Sequence, residues 1–228
     1  MNSAFNLVFP VIHATRRMAA LAGIAFLLSA CGTTGSQYDY TAFRESKPRS
    51  ILVLPPINQT PEVKAKNTFL ATSTIPLAES GYYVIPVTLA EEAFKQNGVN
   101  VAEEAHAIAP GKLREIFGAD AALYITITRF GVRYVLVDSV VEAAASARLI
   151  DLRTGQELWS GQVSISQGSS NNNRSLVGML VSAAFNQIVN SLTDKSYGVG
   201  RDANQLLLYA RGKNKILYGP YHPKFGTD

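Results

Sequence analysis

Cys31 is the only cysteine among 228 residues, and it directly follows Leu28-Ser29-Ala30 at the close of an apolar run. Its thiolate is a nucleophile that no other side chain here can replace. The other chemistry-bearing residues are scattered. His106, just after Glu103-Glu104, and His222 are too far apart for the three or four convergent ligands that a metal requires. Glu103, Glu104 and His106 therefore read as a solvated flank. Asp120, Asp138 and Asp151 fall at the edges of predicted elements, where turn capping accounts for them. Gly-x-Ser-x-Gly and glycine-rich phosphate loops are both absent. Gln167 to Arg174 is a polar Ser/Asn loop of a kind that is ordinarily just solvated. No catalytic set, no cofactor site and no metal site is expected, and the chain does not read as an enzyme.

The residues ahead of Cys31 explain how its thiol would be presented. Arg16 and Arg17 form a positive n-region, Met18 to Leu28 an apolar core of signal-peptide length, and Ser29-Ala30 a small-residue cleavage site. A spanning helix needs about 20 apolar residues, and this run is shorter. Leu-Ser-Ala-Cys resembles the lipobox of bacterial lipoproteins. That resemblance implies that residues 1–30 are a cleaved signal peptide and that Cys31 is lipidated on its sulfur and its new amino group. One acyl chain anchors only marginally at about 0.8 kcal/mol per methylene, whereas two or three hold stably. Gly32, at the position where inner-membrane lipoproteins carry aspartate, implies the outer membrane, with the domain facing the periplasm.

Removing Arg16 and Arg17 with the leader lowers the formal charge of +4 to about +2. Lys and Arg are scattered, with a mild basic bias from Arg201 to Lys224, so no nucleic-acid partner is indicated. With Cys31 committed to lipid, no disulfide is available, and the fold must stand on packing alone.

What must carry this anchor is a single domain. Residues 31–48 read as a flexible, lipidated tether, whose 16 or so residues would hold the body roughly 22 Å from the lipid. The α/β periplasmic domain is expected over 49–200. Ile51 to Leu54 reads as a buried strand stopped by Pro55-Pro56. A helix is expected from Glu62 to about Glu79, kinked at Pro76, then a strand over Tyr82 to Val87. Thr88 and Glu91 form a capping box for a helix over Leu89 to Gln96, closed by Asn97-Gly98. A further helix is expected from about Gly111 to Phe117. If the two strands pair in parallel, the crossover should be right-handed.

The apolar period then switches to two. Ala121 to Phe130, continuing to Val137 after a bend or bulge at Gly131, and Val140 to Asp151 after a turn at Asp138-Ser139, read as antiparallel strands. Arg153-Thr154-Gly155-Gln156 is a hairpin turn leading into Glu157 to Ser166. The fold class is α/β: a single mixed sheet of about five strands packed with helices. Ser175 to Thr193 is the longest helix candidate, a core helix or, through Gly178, Ser182 and Ala183, an oligomer contact. Residues 201–228 read as an extended arm that packs on its own domain or on a partner. Trp159 reads as sheet packing, and Tyr38, Tyr40 and Phe43 as tether aromatics that can dock on a partner or a membrane interface.

Several stretches together are similar to a family of bacterial outer-membrane lipoproteins catalogued only as a domain of unknown function. They are Ile51 to Asn58, Gly81 to Val84, Lys112 to Asp120, Arg148 to Gly155, Asn186 to Thr193 and Leu217 to Pro220. More distantly, the layout resembles the amino-terminal domain of TolB and curli-secretion-type lipoproteins. The resemblance implies a lipid-anchored interaction subunit of an envelope transport or assembly complex. Its expected partners are membrane lipid through Cys31 and other envelope lipoproteins or transport proteins, with homo-oligomers possible. The alternatives are a pore-forming oligomer of the curli-secretion type, for which this chain has little spare length, or a periplasmic ligand-binding protein or enzyme.

Overall fold

The computed structural model describes residues 38–135, 138–168, 195–212 and 214–227. The chain is organised by one short strand, β1 (Ser50–Val53), whose Ile51, Leu52 and Val53 are almost completely buried, as is Leu54 after it. Alternation sends Ile51 and Val53 into one apolar layer and Leu52 and Leu54 into another, so both faces of β1 are covered.

Around β1 lie β2 (Ile57–Asn58), β3 (Tyr83–Val84), β4 (Ala121–Val135), β5 (Asp138–Asp151) and β6 (Glu157–Gly168). They form a mixed six-stranded sheet in the order β3-β1-β4-β5-β6, with β2 also on β4. β1 pairs in parallel with β3 and β4, and β4, β5 and β6 are antiparallel. The α/β class with a mixed sheet is as read from the sequence; the sixth strand, β2, is two residues long and too brief to show a period.

The helices are α1 (Thr41–Ser46), α2 (Lys64–Thr72), α3 (Thr74–Glu79), α4 (Val87–Gln96), α5 (Ala102–Ala107), α6 (Pro110–Phe117) and α7 (Lys195–Leu208). Phe43, Phe69, Leu77, Ala203 and Leu207 place α1, α2, α3 and α7 on one face of the sheet. Ala90, Phe94, Ala105 and Leu113 place α4, α5 and α6 on the other. Fully burying a side chain such as Phe69 or Leu113 is worth about 1.5–3 kcal/mol. Among the described residues, no helix is long and apolar enough to cross a membrane.

Several local expectations are corrected. The helix expected from Glu62 to Glu79 is two helices meeting at Ser73, not one kinked at Pro76. The hydroxyls of Thr72, Ser73 and Thr74 donate to the carbonyls of Thr68, Leu70 and Ala71, loosening the ladder there. Pro76 falls in the first turn of α3, where a missing N–H costs little. Thr88 does not cap its helix: Pro86 starts α4 earlier, and Glu91 is turned to Lys66 and Lys95. The register shift in β4 lies between Ile127 and Arg129, while Gly131 stays paired with Glu142 at φ 112°. Asp138 and Ser139 belong to β5, opposite Val135 and Tyr134, and are not a turn. Gly118 and Gly155 adopt left-handed conformations at a helix end and a hairpin. The helix expected over 175–193, with Gly178, Ser182 and Ala183, lies outside the described residues, as does most of the polar loop to Arg174.

Both ends of the domain also differ from expectation. Residues 38–48, expected within the tether, include α1 and bury Tyr40 and Phe43 in the core. The arm expected over 201–228 begins as helix α7 and then folds back along its own domain, with Ile216 and Leu217 buried.

Candidate functional site

The entry of the chain into the fold is fastened by several long-range hydrogen bonds. The Tyr38 N–H donates to Asn214 Oδ1 at 3.2 Å, and Tyr38 Oη accepts the Ser160 N–H at 2.9 Å. Tyr40 Oη donates to the Lys215 carbonyl, and the Tyr40 ring lies 4.9 Å from Tyr38 and 6.4 Å from Phe43. Asn214 is the hub. It sits at φ 56°, a left-handed turn that asparagine tolerates better than most side chains, and its carbonyl accepts Trp159 Nε1–H at 3.2 Å. The Trp159 indole is fully buried and lies over Gly161, where a Cβ would collide with the ring.

Carboxylates secure the same end. Ser46 Oγ donates to Asp151 Oδ2 at 2.5 Å, while Asp151 Oδ1 accepts the Arg153 and Thr154 N–H groups at 2.7 and 2.8 Å. Burial alone would raise the Asp151 pKa, but these bonds and the Arg153 charge outweigh it and leave the carboxyl below its ordinary value. Asp39 accepts both the hydroxyl and the N–H of Thr41, which lowers its pKa. The turn-capping role read for Asp151 is thus seen directly. Asp120 instead reaches across to the Arg49 and Ser50 N–H groups at the start of β1.

At the other end of this face the carboxy-terminal arm is strapped to the turn after α3. The Gly219 N–H donates to the Ser80 carbonyl at 2.8 Å, Tyr221 N–H to Gly81 O at 3.1 Å, and Tyr82 Oη to Leu217 O at 2.6 Å. Beside this strap an open cleft of about 450 Å³ runs along β3, lined by Thr74, Ile75, Ala78 and Tyr82 to Pro86. Ile75 and Tyr83 are 53% and 56% exposed there. Its lining is mostly apolar, and the Thr74 hydroxyl is already committed to Ala71 O.

Among the described residues, His106 and His222 do not assemble a site with the acids. His106, expected on a solvated face, is half-buried: Nε2 lies 3.0 Å from the Pro55 carbonyl and the ring packs edge-on to Tyr124 at 5.1 Å. Burial lowers its pKa. Glu104 turns instead to the Asn100 N–H. His222 stacks on Tyr218 at 4.1 Å, its Nδ1 accepting the Lys224 N–H. Among the described residues, no three His, Cys, Asp or Glu side chains converge as metal ligands would. Cys31 lies outside the described residues. Tyr38, Tyr40 and Phe43, read as tether aromatics able to dock on a partner or a membrane interface, pack on the body of the protein itself. Asn214 was not singled out in the sequence, although its place in Arg211-Gly212-Lys213-Asn214-Lys215 is a turn signal.

Fold and site together define a mixed-sheet α/β domain whose amino-terminal segment is bonded to its outer strand. The model of the GNA1162-like family, described as "Putative lipoprotein GNA1162-like", matches residues 38–221. The chain belongs to this lipoprotein family, and the match begins where the described fold begins. A curated relative from Neisseria meningitidis serogroup B, "Putative lipoprotein NMB1124/NMB1162", is 52% identical over 194 residues, covering 85% of this chain and 90% of the relative. The crystal structure of lipoprotein GNA1162 from Neisseria meningitidis is 54% identical, covers 63% of this chain and 100% of that one, and superposes with a TM-score of 0.53.

Proposed function

We propose that Cys31 becomes the lipid-bearing first residue of the mature protein, and that the domain works as an interaction subunit of an envelope transport or assembly complex. It is held at the outer membrane and faces the periplasm, and it acts by tethering and contact with neighbours.

The observation that carries this reading is the fastening of Tyr38, only seven residue steps after Cys31. Seven steps span at most about 25 Å. A domain secured so close to a candidate lipid site suits work at a membrane surface. Membership of a lipoprotein family supports the anchor, and the residue after Cys31 being Gly32 supports the outer membrane. The exposed Ile75 and Tyr83 along the β3 cleft support protein contact, because apolar surface that stays open in a folded domain commonly meets a partner.

Crosslinking and pull-down from intact envelopes tests the mechanism, with native protein compared against Cys31→Ser. Native protein is expected to capture discrete envelope partners, and the serine variant to lose them. Unchanged capture by Cys31→Ser would show that the anchor is not needed for assembly.

A further inference from the structure

We propose that the β3 cleft receives an extended peptide segment of a partner protein, added antiparallel to the edge of the sheet with one apolar side chain set against α3. This rests on the domain working as an interaction subunit, and it names what that subunit binds.

The main chain at this edge is open. β3 ends the sheet, with β1 as its neighbour. The Tyr83 and Ile85 N–H groups donate to the Arg49 and Ile51 carbonyls, so the N–H and carbonyl of Val84 between them point away from β1. Among the described residues, neither group of Val84 has a hydrogen-bond partner. An antiparallel strand satisfies such a pair with a single residue of its own, whereas a parallel strand needs two and pairs less stably. A lipid chain or the apolar stripe of a helix offers no main-chain groups to match.

The walls of the cleft select the side chains. The register sets Val84 beside Ile51, on the layer that α3 covers, while Ile85 packs on the opposite layer. A peptide residue opposite Val84 therefore lies beside Ile75 and Ala78, and its two neighbours beside Tyr83 and Ile85. Among the described residues, no charged side chain lines the cleft, so the central residue must be apolar. Tyr82 Oη on the Leu217 carbonyl and Tyr221 N–H on Gly81 O hold the start of β3 in place, which spares the cost of ordering it on binding.

Size separates a peptide from a second copy of this chain. Eight residues line the cleft, whereas a stable dimer uses roughly 20–30 a side. A two-fold contact would also set this concave face against itself and leave a void, which a single narrow strand fills.

The test titrates the full, isotope-labelled protein, extracted from membranes in detergent, with the capped peptide Ser-Thr-Val-Ile-Val-Thr-Ser. The amide signal of Val84 is expected to shift downfield and saturate. N-methylation of the central isoleucine, Ile75→Glu and Val84→Pro should each weaken binding at least about fivefold. Val84→Pro leaves the bonds to β1 intact, because the N–H it removes faces outward. Leu89→Glu, at an exposed apolar residue outside the cleft lining, should bind as the native protein does. No saturable shift, or equal binding of the N-methylated peptide, overturns the edge strand. A Val84 shift that follows protein concentration without peptide assigns the edge to a second copy and overturns the proposal too. Crosslinking in intact envelopes separates this from the wider reading. Partners captured by the native protein and equally by Ile75→Glu overturn the β3 assignment alone. No partners captured by the native protein overturn the interaction subunit, and the titration decides β3 in either case.

Discussion

Replacing Gly219 by alanine should unfasten the carboxy-terminal arm. A Cβ there would overlap the Gly81 carbonyl oxygen and stand 2.7 Å from its carbon and 2.8 Å from Tyr82 Cδ1. Restoring ordinary contact requires the two backbones to separate by about 1 Å. That movement pulls on three hydrogen bonds, from Gly219 to Ser80, Tyr221 to Gly81 and Tyr82 to Leu217. Overpacking costs about 1–3 kcal/mol and each weakened bond up to about 1 kcal/mol, while reduced freedom of the unfolded chain returns about 0.4–1 kcal/mol. The net loss is about 2–3 kcal/mol, which for a domain of this size lowers Tm by about 4–12 °C. Gly111→Ala is the control, since nothing lies within 4 Å of the methyl it would add and α6 gains a better helix former. Thermal unfolding followed by circular dichroism, with amide exchange at Tyr221, measures both. A Gly219→Ala protein that melts with the native protein and keeps Tyr221 protected would refute the strap.

Among the described residues, Asp202 presents a buried Oδ2 without a hydrogen-bond partner, and burial raises its pKa despite the Arg201 charge. A folded pKa above the unfolded one means that stability falls as pH rises from about 4 through the folded value. Asp202→Asn should therefore gain on the native protein across that window and hold its advantage at neutral pH, as urea titrations at successive pH values would show. Asp151 has the opposite sign: its lowered pKa gives stability that is present above about pH 4 and lost as pH falls through the folded value. Asp151→Asn should cost about 2 kcal/mol at neutral pH, read from the urea midpoint, and flatten the acid limb. Asn214→Gly keeps the left-handed turn and should lose about 1 kcal/mol with the Tyr38 bond, whereas the β-branched Asn214→Val should lose at least about 2 kcal/mol. Trp159, the single tryptophan, separates the two through its emission: Asn214→Val, which distorts the turn and draws the backbone carbonyl away from the indole, should shift it to the red, while Asn214→Gly keeps the turn and should leave it in place.

What could be read from the sequence was what neighbours along the chain decide. Ile51 to Val53 ahead of two prolines is a buried strand because its alternate side chains fill two layers. Gly118 and Gly155 end a helix and turn a hairpin because a left-handed backbone suits residues without a Cβ. Expectation and structure part where distant residues compete for a group. Thr88 lost its capping role to Pro86 and to the Lys66 pairing of Glu91. Tyr38 and Tyr40 looked like aromatics in a polar linker because their partners, Asn214 and Lys215, lie more than 170 residues away. His106 looked solvated because nothing nearby reveals the Pro55 carbonyl or the Tyr124 ring. The candidate lipid site was legible from Leu28 to Cys31 alone, while the fastening of Tyr38 seven residues later needed the fold.

Mass spectrometry of the amino-terminal peptide from the membrane-extracted protein tests the central proposal most directly. The account predicts a chain beginning at Cys31 with diacylglyceryl on sulfur and a fatty acyl group on nitrogen. A chain that retains residues 1–30, or begins at Cys31 with a free thiol, would contradict it.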